Sequence, residues 1–494
     1  MRLWRTTPQE EPVARRAPPS GQQLPGLTTL AYGIGAVAYG VKDGGFAYFL
    51  LIFYSQVVGV SAQLMGLAIT IALVVDAFSD PLIGYLSDNL HSRWGRRHPF
   101  MYAAAVPVSI GYYFLWAPPV GWSQEELFLY VLALAIFVRF FITVYETPSA
   151  ALTPELTDDY VQRSLLISWR VYFGWTGGNA MTVLNFMILF PAFVTATIPN
   201  GQFNREAYAA YGLVAAIVIF STIMISALGT HSRIPYLKAP PAKRRITLWT
   251  ALREIFGTLA NRSFVALFIG TIFGSIGAGL SAALSFYILT YFWGFSSLQI
   301  GIATFGVFIS AIIGSLLAPI VTSMWGKKSG AMIIGVIAFL GSPLPIALKL
   351  WGLLPDDATF VFWFVIISGI IDVGLIICFQ ILAASMMADL VEQAELRTGR
   401  RSEGTLIAVN TFVRKLVAGL GVLTATTILT LAKFPTGAKP GEVPAESITM
   451  LGTYYVPSII VLWMAMMVCI SFYNLTREQH EDNLRKLAER RAAE

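Results

Sequence analysis

A succession of apolar segments, each long enough to cross a lipid bilayer, constrains this chain more than any other feature. A helix needs about 20 apolar residues to span the hydrocarbon core. Twelve runs approach that length, near residues 28–59, 62–88, 98–118, 126–152, 164–192, 207–229, 263–292, 298–323, 330–351, 358–388, 404–431 and 448–474. One water-soluble core cannot hold so much apolar surface, since 56% of the 494 residues are hydrophobic and only 13% are charged. We therefore expect an all-α membrane protein with twelve transmembrane helices.

The polar intervals divide these segments into two groups of six. The longest interval, residues 231–262, contains seven lysines and arginines and three prolines, and is typical of a linker. We predict five regions, which are a cytoplasmic N-terminal segment (1–27), a six-helix bundle (28–229), a cytoplasmic linker (230–262), a second six-helix bundle (263–474) and a cytoplasmic tail (475–494). The first apolar run is longer than the core of a secretory signal and has no convincing cleavage site, so we expect it to stay as a span.

Lysines and arginines are distributed unevenly between the two sides of the predicted membrane. When the spans are threaded in order, 25 fall on the side of the N-terminus and four on the opposite side. Cytoplasmic loops retain positive charge, so we predict that both termini are cytoplasmic, in a bacterial inner membrane. The formal net charge of +6 is then a consequence of topology and does not indicate a nucleic-acid-binding protein.

A short internal repeat relates the two groups of helices. Residues 92–97 (SRWGRR) follow the second span and residues 324–328 (MWGKK) follow the eighth, at an offset of 231 residues. An acidic residue follows the fourth and the tenth spans, as Glu155 and Asp389. Two six-helix halves related in this way are the arrangement of major facilitator transporters, although a channel or a membrane enzyme can also be duplicated. We interpret the basic residues of the first loop as a gating and topology element: Arg93, Arg96 and Arg97.

Ten ionisable residues lie inside the predicted spans, where each costs about 2.5–3.5 kcal/mol and usually works in a cavity. They are Lys42, Arg139, Arg170, Arg414, Lys415, Asp43, Asp76, Asp80, Glu146 and Asp372. Positive and negative residues are equal in number, so a structural ion pair is the simpler interpretation of any one of them.

Asp76 and Asp80 form the sharpest cluster. Their i, i+4 spacing stacks two carboxylates on one helix face, about one turn apart. Two ionised carboxylates this close repel each other, so they favour a shared proton or a bound cation, and oxygen ligands suit hard cations such as sodium. The pattern predicts a cation (metal-ion) site, and the alternative is a pair held by Arg139 or another distant base.

Lys42 and Asp43 lie midway along the first span and are followed by two glycines. Carboxylates that accept hydrogen bonds from hydroxyl groups, with an arginine beside them, are what a polyol or a sugar needs. Asp43, Glu146 and Arg170 are therefore candidate substrate contacts.

The remaining basic residues have simpler interpretations. Arg139 is best explained as one member of a structural ion pair. Lys415 can act as a tethered cation that competes with sodium at the two carboxylates of the second span, or it can neutralise Asp372.

The order of these motifs resembles the glycoside-pentoside-hexuronide:cation symporter family over nearly the whole chain. The resemblance is carried by residues 42–43 (KD), 76–81 (DAFSDP), 92–97 (SRWGRR), 145–148 (YETP) and 388–415. It implies a major facilitator fold and a sodium, lithium or proton site at Asp76, Asp80, Ser79 and Thr143. It also implies a substrate site at Asp43, Lys42, Glu146, Arg170, Gln380 and Lys415. Ala150 and Gln380 stand where a member of the family has tryptophans, which argues against a galactosyl specificity. The charged residues Arg139, Arg414 and Asp372 are additional to the family pattern and point to a hexuronide, another acid or a larger glycoside.

From these observations we expect a cation-coupled sugar or glycoside symporter that works by alternating access, acts as a monomer and needs no cofactor. Its expected partners are a small sugar, a monovalent cation and the lipid bilayer, with no nucleic acid. One alternative is a transporter of lysolipids or other amphiphiles in the same superfamily. A membrane-embedded transferase is less favoured, because the four histidines lie in or beside cytoplasmic segments and form no catalytic grouping.

Overall fold

The computed structural model describes residues 24–157, 159–237, 262–398 and 403–474, with four further residues of the C-terminal tail. Across these ranges the chain is helical and contains no β-strand. The predicted N-terminal segment (1–27), linker (230–262) and tail (475–494) lie largely outside the described residues.

Twelve long helices occur in the described part of the chain. In order they are α1 (Gly26–Val58), α2 (Ala62–Asn89), α3 (His98–Trp116), α4 (Gln124–Leu156), α5 (Tyr160–Leu184, continued to Ala192), α6 (Arg205–His231), α7 (Ser263–Phe292), α8 (297–325), α9 (327–341, continued by Leu344–Leu350), α10 (Ala358–Thr398), α11 (Glu403–Leu431) and α12 (Ala445–Ser471). This confirms the all-α fold class.

Nine described helical stretches are long and apolar enough to cross a membrane by length and composition. One of the nine, Ser297–Leu350, contains both α8 and α9, because Gly326 interrupts it with a left-handed backbone (φ 74°) that favours glycine. Helices α3 and α5 are not among the nine, and they complete the set of twelve.

Two helices extend further than their apolar residues predict. Helix α10 continues to Thr398, ten residues past the predicted end at 388, and α4 continues to Leu156. A helix that leaves the bilayer still satisfies its own backbone hydrogen bonds, so its end need not coincide with the end of the apolar run. As a result Glu155 and Asp389 lie on helices rather than in loops.

Within the first half, α1 and α5 cross very closely because glycines meet at the crossing. A Cβ atom added to Gly40 would lie 1.9 Å from the Gly174 carbonyl oxygen, and one added to Gly178 would lie 2.5 Å from the Gly40 carbonyl oxygen. Small residues allow such close backbone approach between membrane helices. The crossing holds the middle of α1 rigidly against α5.

The two halves meet along α2 with α11, α5 with α8, and α1 with α7. On the first of these seams Thr70 donates a hydrogen bond to the Gly419 carbonyl at 3.1 Å. On the second, the rings of Trp175 and Phe308 pack edge to face at 5.5 Å. These seams bring side chains of α2 and α11 together in one site.

Contacts between the halves form a seal at the end of the molecule where α1 and α11 finish. Gln56 of α1 accepts a hydrogen bond from the Ala438 N–H at 3.2 Å, and the Ser55 carbonyl accepts from the Gly437 N–H at 3.0 Å. Below this network the rings of Phe49 and Phe286 lie 4.8 Å apart. The sealed end is therefore closed by hydrogen bonds and by aromatic packing.

Candidate functional site

The paired carboxylates of α2 lie side by side, as their spacing predicts. The Thr143 hydroxyl of α4 lies 3.0 Å from Asp76 Oδ1 and 3.1 Å from Asp80 Oδ1, so it bridges the pair. The Asp76 side chain is only 1% exposed, whereas that of Asp80 is 26% exposed. One carboxylate is thus enclosed by protein, and the other faces an accessible space.

Two bases from distant parts of the sequence reach this pair. Arg139 Nη1 lies 3.1 Å from Asp76 Oδ2, as expected for a structural ion pair. Lys415 Nζ of α11 lies 2.6 Å from Asp80 Oδ2 and 3.3 Å from Asp76 Oδ2. The first of the two alternatives for Lys415 therefore matches the geometry, since this lysine contacts the α2 carboxylates and not Asp372.

Ser79 lies between the two carboxylates in sequence but points its hydroxyl proton elsewhere. The hydroxyl donates to the Asp76 backbone carbonyl at 2.9 Å. Its oxygen lone pairs remain free to coordinate a cation.

Arg139 has a further contact, because its guanidinium lies 4.5 Å from the centre of the Phe46 ring and so gains cation–π stabilisation.

Lys42 and Asp43 form an ion pair with each other on α1. Lys42 Nζ lies 2.5 Å from Asp43 Oδ1, and the lysine side chain is 3% exposed whereas the aspartate is 60% exposed. The helix widens into a π-helical turn at Gly45–Phe49, directly after this pair, and such turns frequently occur at functional sites. Asp43 therefore presents an accessible carboxylate in the middle of a span.

Arg170 of α5 is held by partners that the sequence analysis did not identify. Its Nη1 donates to Ser149 Oγ at 2.7 Å and to the Tyr32 hydroxyl at 3.2 Å, and its guanidinium lies within 5.6 Å of the Tyr32 and Tyr39 ring centres. Tyr32 and Tyr39 are seven residues apart and share a face of α1, which is the signal that could have indicated them. Glu146 lies within electrostatic reach of Arg170, Lys42, Asp43 and Lys415.

Two residues lie apart from this charged cluster: Gln380, a predicted substrate contact, and Arg414, one of the ionisable residues of the predicted spans. Gln380 is exposed on α10, and Arg414 is exposed on α11 although its neighbour Lys415 is not. No hydrogen bond among the described residues joins Gln380 to the charged cluster. Its assignment to the substrate site stays a prediction.

The loop arginines belong to an ion-pair cluster at the end of the molecule opposite the seal. Arg96 and Arg97 both contact Glu155 Oε1, at 2.7 Å and 3.0 Å, and Arg97 also pairs with Asp88. Arg93 is exposed and lies 5.5 Å from the Trp94 ring centre. These contacts tie the loop 92–97 to the end of α4.

The repeat is visible in the backbone as well. Gly95 and Gly326, which are equivalent in the repeat, have φ angles of 72° and 74°. In the second half Lys327 Nζ lies 2.7 Å from Asp389 Oδ1, as Arg96 pairs with Glu155 in the first. Each half thus carries a tight glycine turn followed by a base that pairs with an acid on another helix.

Twelve helices in two such halves, with a charged cluster shared between α2, α4 and α11, define a membrane transporter of the major facilitator class. Comparison with known proteins agrees with this conclusion. The chain belongs to the family described as MFS/sugar transport protein, whose family model matches residues 31–477. It is accordingly an integral membrane transporter and not an enzyme.

Individual relatives are similar along most of their length. The inner membrane symporter YicJ of Escherichia coli is 25% identical, with 93% of this chain and 94% of the relative covered. The isoprimeverose transporter of Lactiplantibacillus pentosus is 22% identical, with 81% and 78% covered. The inward open conformation of the xylose transporter XylE from E. coli has a TM-score of 0.58 at 15% identity, with 93% of this chain and 98% of that chain covered, and this likeness concerns the fold alone.

Proposed function

We propose that this chain is a secondary active transporter that couples the symport of a sugar or glycoside to the entry of sodium or a proton by alternating access. It would act as a monomer in a bacterial inner membrane with both termini in the cytoplasm. The observation that carries this proposal is the position of Lys415, a residue of the second half that lies between two carboxylates of the first half.

The carboxylate pair has the chemistry of a site for a small cation. Asp76 and Asp80 offer four carboxylate oxygens, and the hydroxyl of Thr143 lies within hydrogen-bond distance of both residues. Hard cations such as sodium prefer oxygen ligands of this kind. The ammonium group of Lys415 occupies the same position that such a cation would take, so the lysine and the cation compete.

Competition at this pair provides a route for coupling. A sodium ion or a proton that neutralises Asp80 releases Lys415, which lies within electrostatic reach of Glu146. Its movement changes the field around the exposed carboxylate of Asp43 and around Arg170, where we place the sugar. Because binding linkage is reciprocal, the cation and the sugar should each tighten the binding of the other.

The substrate site is proposed at Asp43, Glu146 and Arg170, with Lys42 in support. Asp43 accepts hydrogen bonds readily because it is 60% exposed, and the Tyr39 ring beside Arg170 offers an apolar face for a sugar ring. Names of relatives such as the isoprimeverose transporter support a glycoside as the substrate class. With both termini in the cytoplasm, the sealed end would face the outside of the cell, so this structure would correspond to the inward-facing state of the transporter.

Proteoliposome uptake tests the symport proposal. The purified protein is reconstituted, and uptake of pentosides, hexosides and hexuronides is measured with a sodium gradient, a proton gradient or neither. Asp80→Asn should abolish gradient-driven accumulation while exchange of sugar down its own gradient remains. Asp159→Asn serves as the control, because Asp159 caps α5 through its side chain and asparagine caps a helix equally well.

Two results would contradict the proposal. Accumulation that ignores every cation gradient would exclude symport. Accumulation that survives in both Asp76→Asn and Asp80→Asn would exclude the cation-site assignment. Uptake of lysolipids in preference to any sugar, with dependence on the lipid headgroup, would instead support the alternative amphiphile transporter.

A further inference from the structure

A second cavity lies in the second half, away from the cluster around Asp76, and its lining is mostly apolar with a few polar groups. It has a volume of about 240 Å³ and lies between α7, α8, α9, α10 and α12. Its polar lining consists of Asp372, Tyr455 and five serines, namely Ser281, Ser285, Ser310, Ser342 and Ser368. The proposed symport mechanism uses none of these residues.

Asp372 is a buried carboxylate whose charge no ion pair neutralises in the described part of the chain. It is 9% exposed, and its Oδ1 has no hydrogen-bond partner among the described residues. The Lys415 ammonium, which could have neutralised it, contacts Asp76 and Asp80 instead. A carboxylate kept in the middle of a span without a base needs a positive charge from another source.

The other titratable groups near the cavity do not supply that charge. Tyr455 of α12 lines the cavity, and its hydroxyl donates to Ser281 Oγ at 3.4 Å. Lys349, in the continuation of α9, donates to the Phe292 carbonyl at 2.5 Å and lies 4.9 Å from the Trp293 ring centre, outside the lining. The described parts of α7, α8 and α9 add no titratable side chain to the lining.

Two of the cavity serines, Ser310 and Ser368, already donate their protons to backbone carbonyls, and Ser342 is the neighbour that can donate to the Asp372 carboxylate. Ser310 donates its single proton to the Ile370 carbonyl at 2.8 Å, and Ser368 donates to the Phe364 carbonyl at 2.6 Å. A hydroxyl whose proton is already donated can still accept through its lone pairs. The cavity therefore combines one carboxylate with hydroxyl oxygens, a ligand set that suits a hard cation and disfavours an anion.

We propose that Asp372 and the surrounding serines form a second cation site, which binds a small monovalent cation, either sodium or a proton. The site is separate from the Asp76 and Asp80 pair and lies within one half rather than between the halves. A cation there stabilises the second half as a unit, whatever happens at the interface.

Cation binding to full-length protein with the first site removed tests this proposal. In the Asp76→Asn, Asp80→Asn double variant, purified in detergent, equilibrium binding of radioactive sodium is measured, and the infrared band of a protonated carboxylic acid is followed as pH is changed. If sodium is the ligand, its binding persists in the double variant and is lost when Asp372→Asn is added. If the proton is the ligand, the protonated-acid band persists and is lost in the same way.

Matched variants make the outcome decisive. Asp357→Asn, which changes an exposed acid that caps the start of α10, should alter neither signal. Gly341→Ala keeps the charge but places a Cβ atom 3.3 Å from Asp372 Oδ1, so it should weaken cation binding even if Asp372→Asn fails to fold. Sodium binding and an acid band that are unchanged in both Asp372→Asn and Gly341→Ala would overturn the proposal, and loss of symport in Asp80→Asn alone would not affect it.

Discussion

Replacing Lys415 by glutamine tests whether this lysine competes with the coupling cation. Its Nζ makes two contacts with carboxylate oxygens, at 2.6 Å and 3.3 Å, and its side chain is 25% exposed. A cation that enters the pair must break these contacts. Glutamine keeps much of the length of the side chain but removes the charge, so the cation no longer has a competitor.

The size of the effect follows from the contacts that are lost. A hydrogen bond to a charged group contributes about 1.5–3 kcal/mol, and each 1.4 kcal/mol corresponds to a tenfold change in affinity. Lys415→Gln should therefore lower the half-saturating cation concentration by about 10- to 150-fold. The same change should make sugar binding depend less on the cation, because no lysine remains for the cation to displace.

The assay is thermal unfolding of the purified protein at increasing sodium concentration and, separately, at decreasing pH. Stabilisation by a ligand that binds only the folded state rises with the ratio of its concentration to its dissociation constant. Arg414→Gln is the matched control, because it removes the adjacent, exposed base and should leave the curve unchanged. A half-saturating concentration in Lys415→Gln that is equal to or higher than that of the parent would refute the competition mechanism.

Two further predictions concern the scaffold and the seal. Gly40→Ala should destabilise the protein by about 1–3 kcal/mol, because the added Cβ would lie 1.9 Å from the Gly174 carbonyl oxygen. The measurement is the unfolding midpoint in detergent, which should fall. Gly44→Ala is the control and should have little effect, because its Cβ would lie 3.5 Å from the nearest atom. Gln56→Leu removes the hydrogen bond that joins Gln56 of the first half to the Ala438 N–H of the second and should shift the equilibrium toward opening by about 1 kcal/mol, or about fivefold. In a cysteine-free background, the alkylation rate of Ser55→Cys, at a position that is 1% exposed, should rise by that factor, and an unchanged rate would show that the hydrogen bond does not hold the seal.

The sequence predicts the helices well because each lies in hydrocarbon, and an apolar run of fixed length is required for that. It fails where a helix continues into water, as α10 does to Thr398, since the lipid no longer selects the composition. The repeat places a glycine at both 95 and 326, which permits the left-handed backbone that they share but does not by itself predict it.

For the site, local spacing predicts more than distant pairing does. The i, i+4 rule places Asp76 and Asp80 on one face, and the Thr143 contacts agree with that. The choice between the α2 carboxylates and Asp372 as the partner of Lys415 depends on how α2 packs against α11, which no local pattern determines. The isolation of Asp372 is harder still to predict, because it depends on every helix around it having no base to offer.

The ion pairs around Asp76 and Asp80 also have a consequence for the response to membrane voltage. With Lys415 and Arg139 in place, two positive and two negative charges cancel, so this cluster moves no net charge when the halves rock. When a sodium ion or proton displaces the ammonium from the carboxylates, the lysine keeps its charge, so the cluster has a net charge of one positive unit. A membrane potential of 100 mV changes the energy of moving that charge across the membrane by about 2.3 kcal/mol. The cell's electrical gradient would then act on the loaded carrier in the inward direction and leave the return step unaffected, so uptake of even a neutral sugar would carry an inward current.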